Sequence, residues 1–174
     1  MSIFAGGHVV MKNLINIDPK DAEMFGKQIV AIQHSLKETG LFSKDSLASL
    51  IEKVGAMPER HYILGAPHES GEVGHWQNGS FENISGKDML KAVEKGRMWL
   101  QIQDLDLVAP EQWAVAEQVF AELQEKVPGF SYTKLRANIL ISSPTMRVLT
   151  HSDCAEVVLL HIQGRKRLTL FDGG

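Results

Sequence analysis

Cysteine is almost missing from this chain. The lone Cys154 rules out an internal disulfide and suits a reducing compartment. Beside Asp153 it could be a thiolate ligand, but a small buried filler is the expected role. Long apolar runs are missing too. Residues 1–10 show no basic stretch leading into an apolar core, so neither a signal peptide nor a membrane span is expected, and the expected location is cytoplasmic. Nor does charge of one sign dominate. With 18 Lys and Arg against 21 Asp and Glu, the net charge is -3 and the pI is near 6.2, which argues against a nucleic-acid partner because neutralising phosphates needs a basic face. The run Arg165-Lys166-Arg167 is too short to change that. Repeats and low-complexity tracts do not occur. What is present is ordinary globular material, 44% hydrophobic and 22% charged over 174 residues, which allows one domain, or one and a fragment.

Along the chain, Asp18-Pro19 has the form of an N-cap with proline at N1. Ala22, Phe25, Ile29, Ile32 and Leu36 then recur at helical spacing up to Gly40, with His34 beside the stripe as a boundary residue. Ser43 opens a second helix that carries Leu47, Leu50, Ile51 and Val54 and stops at Gly55. A strand is expected over 61–64. An irregular stretch over 65–79 follows, to be read as a lid or as a plain connection. His61, His68 and His75 recur every seven residues but lack the close pairs that zinc sites use. Ser85-x-x-Asp88 resembles a capping box ahead of a helix to Gly96, and 97–103 alternates like a strand. Pro110 starts a helix with Trp113, Ala116, Phe120, Leu123 and Val127 in its stripe, Trp113 reading as core. Alternation over 135–141 predicts a strand that Ser142-Ser143-Pro144 interrupts. Helices first and strands later favour an α+β fold.

The chemistry concentrates in 151–171. On an extended backbone, His151 and Asp153 point to the same side and can share one metal. Imidazole and carboxylate, completed by a second imidazole, make the facial triad of non-heme Fe(II) oxygenases. An apolar run over 157–162 follows, then a turn at Gly164. Beyond it Lys166 aligns with Leu168 and Leu170, opposite Arg167, Thr169 and Phe171. A lysine so placed either sits at a solvated hairpin or faces inward, where an anion such as a dicarboxylate must meet it.

The H-x-D motif, the thirteen residues from Asp153 to Lys166, and the G-R-K-R-hydrophobic stretch resemble the first half of the JmjC/cupin-like 2-oxoglutarate and Fe(II)-dependent oxygenases, bacterial cupin-like proteins among them. The S-x-x-[DE] helix and R-A-N-I-L-I-S-S-P over 136–144 add to the likeness, which covers roughly residue 41 onward. The resemblance implies a helical amino-terminal part over 1–60. After it comes an incomplete cupin-like domain over 61–174, whose strands from about 131 begin a double-stranded β-helix, or jelly roll. It implies iron held by His151 and Asp153, the far carboxylate of 2-oxoglutarate held by Lys166, and hydroxylation of a small molecule or protein side chain. Two features depart from the family pattern: Val148 stands where a hydroxyl residue is common, and no histidine follows His161 to serve as distal ligand. The expectation is therefore a truncated oxygenase that is inactive alone. The alternatives are a non-catalytic cupin-like binding or regulatory module, and a homo-oligomer in which a second copy supplies the missing half.

Overall fold

A computed structural model describes residues 13–65, 76–77, 81–96, 98–144, 146 and 150–171. It is a mixed fold of helices and antiparallel sheets, as α+β requires. Strands β1 (Ile15–Asn16) and β2 (Gln33–His34) pair as a small ribbon flanking α1 (Pro19–Met24). A 3-10 turn over Leu36–Thr39 leads into α2 (Lys44–Val54). Next come β3 (His61–Gly65), β4 (Trp76–Gln77), α3 (Gly86–Lys95), β5 (Met98–Ile102), α4 (Leu105–Val108), α5 (Pro110–Lys126) and β6 (Ile139–Ser142). The main sheet has the order β4-β3-β5-β6, all antiparallel. Its central strand β5 pairs on both sides, and Leu100 and Ile102 are fully buried there. One apolar core runs from Leu14 through α2, α3 and β5 to α5 and Ile139.

The capping signals place most helices correctly. Ser43 caps α2 by accepting from the Ser46 amide, Ser85 caps α3 by accepting from the Asp88 amide, and Pro110 stands at the first turn of α5. Helix α3 begins against the backbone of α2. A Cβ on Gly86 would lie 1.8 Å from the Ala48 carbonyl oxygen, so only glycine fits this crossing.

The first helix is much shorter than its apolar spacing predicts. Asp18 caps it, with the Lys20 amide donating to its side chain at 2.9 Å, but it ends at Met24, and Gly26 takes a left-handed φ of 74°. Residues 29–32 beyond it form no helix, β2 pairs with β1, and Ile29 is 77% exposed. Strand pairing has overridden a helical pattern that was partly coincidental. In α5 the buried positions are Gln112, Val119, Glu122 and Leu123, while Trp113 and Phe120 only partly pack against the core. The expected strand over 135–141 starts late for a local reason. The Ala137 carbonyl accepts from the Leu105 amide and the Asn138 side chain accepts from the Asp104 amide, so 137–138 serve the turn before α4.

Glu122 is the most consequential of the buried polar groups. Its carboxylate accepts from the Leu14 amide at 2.7 Å and the Ile15 amide at 3.0 Å, and from Lys126 at 2.8 Å and Gln118 at 3.2 Å. Lys126 also donates to the Ile15 carbonyl at 2.6 Å. Burial opposes ionisation of Glu122, but Lys126, the two amides and Gln118 outweigh it and hold its pKa at about 2, below an ordinary 4.5. A folded-state pKa below the unfolded one stabilises the fold above the unfolded value, and that stability is lost as pH falls towards 2. The difference corresponds to about 3 kcal/mol. Glu122→Gln should therefore lose about 3 kcal/mol in denaturant unfolding at pH 7 and much less at pH 3. An equal loss at both pH values would contradict an ionised carboxylate.

Candidate metal and cosubstrate site

Ser143 fixes how the chain leaves the sheet. Buried after β6, its amide donates to the Met98 carbonyl at 2.9 Å, its Oγ accepts from the Met98 amide at 2.9 Å, and the hydroxyl lies 2.5 Å from the Val93 carbonyl, to which it donates. The chain is thereby locked to both β5 and α3. Val148 lies outside the described residues, as do His68 and His75.

Beyond Thr150, the backbone runs without regular pairing. No backbone–backbone hydrogen bond joins residues 152–171 to any described residue, so the strands expected over 157–162 and 166–171 are not formed, and no barrel is formed among the described residues. Within the apolar run the side chains alternate in burial. Val158, Leu160 and Ile162 pack against the core, while Val157, Leu159 and His161 face outward. The expected turn is present, with Gly164 at a φ of 82°. Next to it, the Gln163 side-chain amide donates to the Phe42 carbonyl and ties the turn to the approach to α2.

The structure brings His151 and Asp153 together, with Nε2 3.8 Å from Oδ2 and side chains 59% and 57% exposed. Two ligands about 2 Å from a shared ion lie within reach of each other at this separation. The pair is thus compatible with one metal. A group of three His, Cys, Asp or Glu side chains that could hold an ion does not occur among the described residues. Cys154 is exposed, which corrects its reading as a buried filler, since no core packs on this part of the chain. His161 faces outward on the far limb, and His61 is fully buried with its ring 4.3 Å from that of Phe81.

Lys166 contacts the main sheet. Its ammonium lies 5.0 Å from the centroid of the Trp99 ring, a cation–π contact with β5. The sequence pattern had no way to assign Trp99 this role, because a tryptophan in an alternating strand reads as core. Its side chain is indeed buried. Elsewhere, residues 157–160 close over Ile15, Ile32, His34, Val119 and Leu123 to line a cavity of about 150 Å³, so Val157 and Leu159 border it although their side chains are exposed. Apart from His34 its lining side chains are apolar, so none offers a cation to a dicarboxylate. None of His151, Asp153 and Lys166 lines it.

Comparison with known proteins returns no match to a family model, a curated protein or a solved structure. Among the described residues no helix is long and apolar enough to cross a membrane.

The Ser143 clamp generates a test. Ser143→Ala removes a buried hydroxyl that serves two backbone groups and should cost about 1–3 kcal/mol. It should also speed amide hydrogen exchange at Met98 and over β6, where the amides are hydrogen-bonded, more than over α2. Uniform acceleration across the fold would show that Ser143 does not clamp this end of the sheet.

Proposed function

We propose that this chain carries the proximal part of an Fe(II)/2-oxoglutarate-dependent oxygenase site of the JmjC/cupin-like kind, acting as a hydroxylase. The observation that carries the reading is the approach of the His151 imidazole and the Asp153 carboxylate to 3.8 Å. In this reading the two side chains hold iron, and Lys166 swings from Trp99 to the far carboxylate of 2-oxoglutarate. The segment after 131 forms part of a double-stranded β-helix once its open edges are paired. Iron with the cosubstrate would supply the oxidising chemistry, O2 being consumed as 2-oxoglutarate gives succinate and CO2 and the substrate is hydroxylated. The chain's own share is orientation. Asp153 offsets the metal charge and sets the imidazole geometry, and Lys166 fixes one end of the dianion.

A third ligand must come from outside the described residues. Because only two are in place, a second reading is a cupin-like binding or regulatory module that has no catalytic role. Succinate formation from 2-oxoglutarate separates the two, assayed with Fe(II) on this chain and on any longer form that adds a distal histidine. With the added histidine, turnover should appear and Asp153→Ala should abolish it. Lys166→Ala should raise the 2-oxoglutarate requirement about ten- to a hundredfold, as expected for loss of a charge-assisted contact. Absence of iron-dependent succinate with the third ligand present would favour the binding module.

A further inference from the structure

The cavity beneath residues 157–160 draws its lining from three parts of the chain. Val119 and Leu123, one helical turn apart on α5, contribute one side, and Ile15 stands beside them, its amide donating to the Glu122 carboxylate. Ile15 and His34 are directly opposed in the β1–β2 register, and Val30, Ile32 and His34 fall at alternate positions with exposed Ala31 and Gln33 between them. A second side therefore sets two apolar side chains and an imidazole in a row. The third is residues 157–160, where exposed Val157 and Leu159 bring the cavity to the surface. Nδ1 of His34 is buried and has no hydrogen-bond partner among the described residues. A buried polar atom in that state is costly unless something from outside the chain meets it. A lone water suits it poorly, since no other lining side chain is polar. Nor does a metal ion, because no group of three His, Cys, Asp or Glu side chains able to hold one occurs among the described residues.

We propose that this cavity binds a neutral, ring-sized molecule carrying one hydroxyl group, phenol being the simplest, with the ring against Ile15, Val119 and Leu123 and the hydroxyl hydrogen-bonded to Nδ1 of His34. Volume sets the size. A cavity of about 150 Å³ lined by aliphatic side chains is large enough to take up benzene. A drug-sized molecule needs about 300 Å³ or more. The ligand is neutral because no Lys, Arg, Asp or Glu lines the cavity, and an ion buried among aliphatic groups is costly. The single hydroxyl follows from the single buried nitrogen. A neutral imidazole nitrogen either accepts from a hydroxyl or donates to its oxygen, so one hydroxyl satisfies Nδ1 in either tautomer. A second polar group on the ring would find no polar side chain to pair with. None of His151, Asp153 and Lys166 takes part, so this inference does not depend on the oxygenase reading.

Titration of the isotope-labelled chain with phenol and, separately, with toluene tests it, followed by NMR of the methyl groups and of the His34 imidazole. Toluene matches phenol in size and lacks the hydroxyl. Phenol should shift the methyl signals of Val119, Leu123 and Leu160 saturably, with a Kd on the order of 1 mM. Toluene should act on the same methyls about tenfold more weakly, because it leaves Nδ1 unpaired. His34→Leu should remove the advantage of phenol while toluene still binds. Val30→Phe, a ring added at a half-buried position in the lining, should block both ligands. Absence of any saturable shift with phenol would mean a cavity that holds water alone and would overturn the proposal. Equal affinity for phenol and toluene in the wild type would do the same, as would a phenol advantage that survives His34→Leu. Circular dichroism checks that each variant is folded. If His34→Leu is not, the wild-type preference and Val30→Phe decide, and phenol binding undiminished in Val30→Phe would place the ligand elsewhere.

Discussion

The buried Glu122 carboxylate is the constraint on which the packing depends. Helix α5 can lie against the β1–β2 ribbon only if the Leu14 and Ile15 amides find acceptors inside the protein, and Glu122 accepts from both. An ionised carboxylate in that position would be costly alone. Lys126, one helical turn away, neutralises it at 2.8 Å and uses its remaining reach on the Ile15 carbonyl. With that network closed, Leu14, Ile15, Val119 and Leu123 enter one core that continues into Ile51, Val93 and Leu100. The first residues of the described chain are thereby joined to its longest helix, 107 and 108 positions apart in sequence.

From that core outward, order is passed to the candidate site by progressively weaker means. Strand β5 is held on both edges, Ser143 clamps the end of β6 to it, and Gln163 and Lys166 then fasten the final limb through single side-chain contacts with Phe42 and Trp99. His151 and Asp153 fall between the strong attachment and the weak ones. Their half-exposed positions follow from this: the near side of the site is anchored by the sheet, and no described element covers the far side.

Local signals were legible in the sequence wherever one residue type has one structural use. Ser43, Ser85 and Pro110 marked helix starts correctly, and Gly164 marked a turn. Alternation identified β5 and β6, and a strand was expected over 61–64, where β3 forms; the inward set Val158, Leu160 and Ile162 was not read from the apolar run over 157–162. Non-local pairings were beyond reach. The two-residue strands β1 and β2 exist only through each other, and their pairing ended a helix that apolar spacing had extended to Leu36. Glu122 stands outside the apolar stripe read for α5, and nothing local reveals which backbone amides will arrive from residues 14 and 15. At the site, the proximity of His151 and Asp153 followed from the two-residue period. The cation–π contact of Lys166 depended on where β5 lies, which no pattern in 151–171 encodes.

The central claim is that His151, Asp153 and Lys166 together recognise a metal and a dicarboxylate. Titration with Mn(II), a redox-inert stand-in for Fe(II), followed by electron paramagnetic resonance with and without 2-oxoglutarate, tests it most directly. The account predicts weak Mn(II) binding that 2-oxoglutarate tightens. Binding should be lost in His151→Ala and Asp153→Ala, and only the tightening should be lost in Lys166→Ala. Mn(II) binding that is the same in wild type and in the His151 and Asp153 variants, or that ignores 2-oxoglutarate, would contradict it.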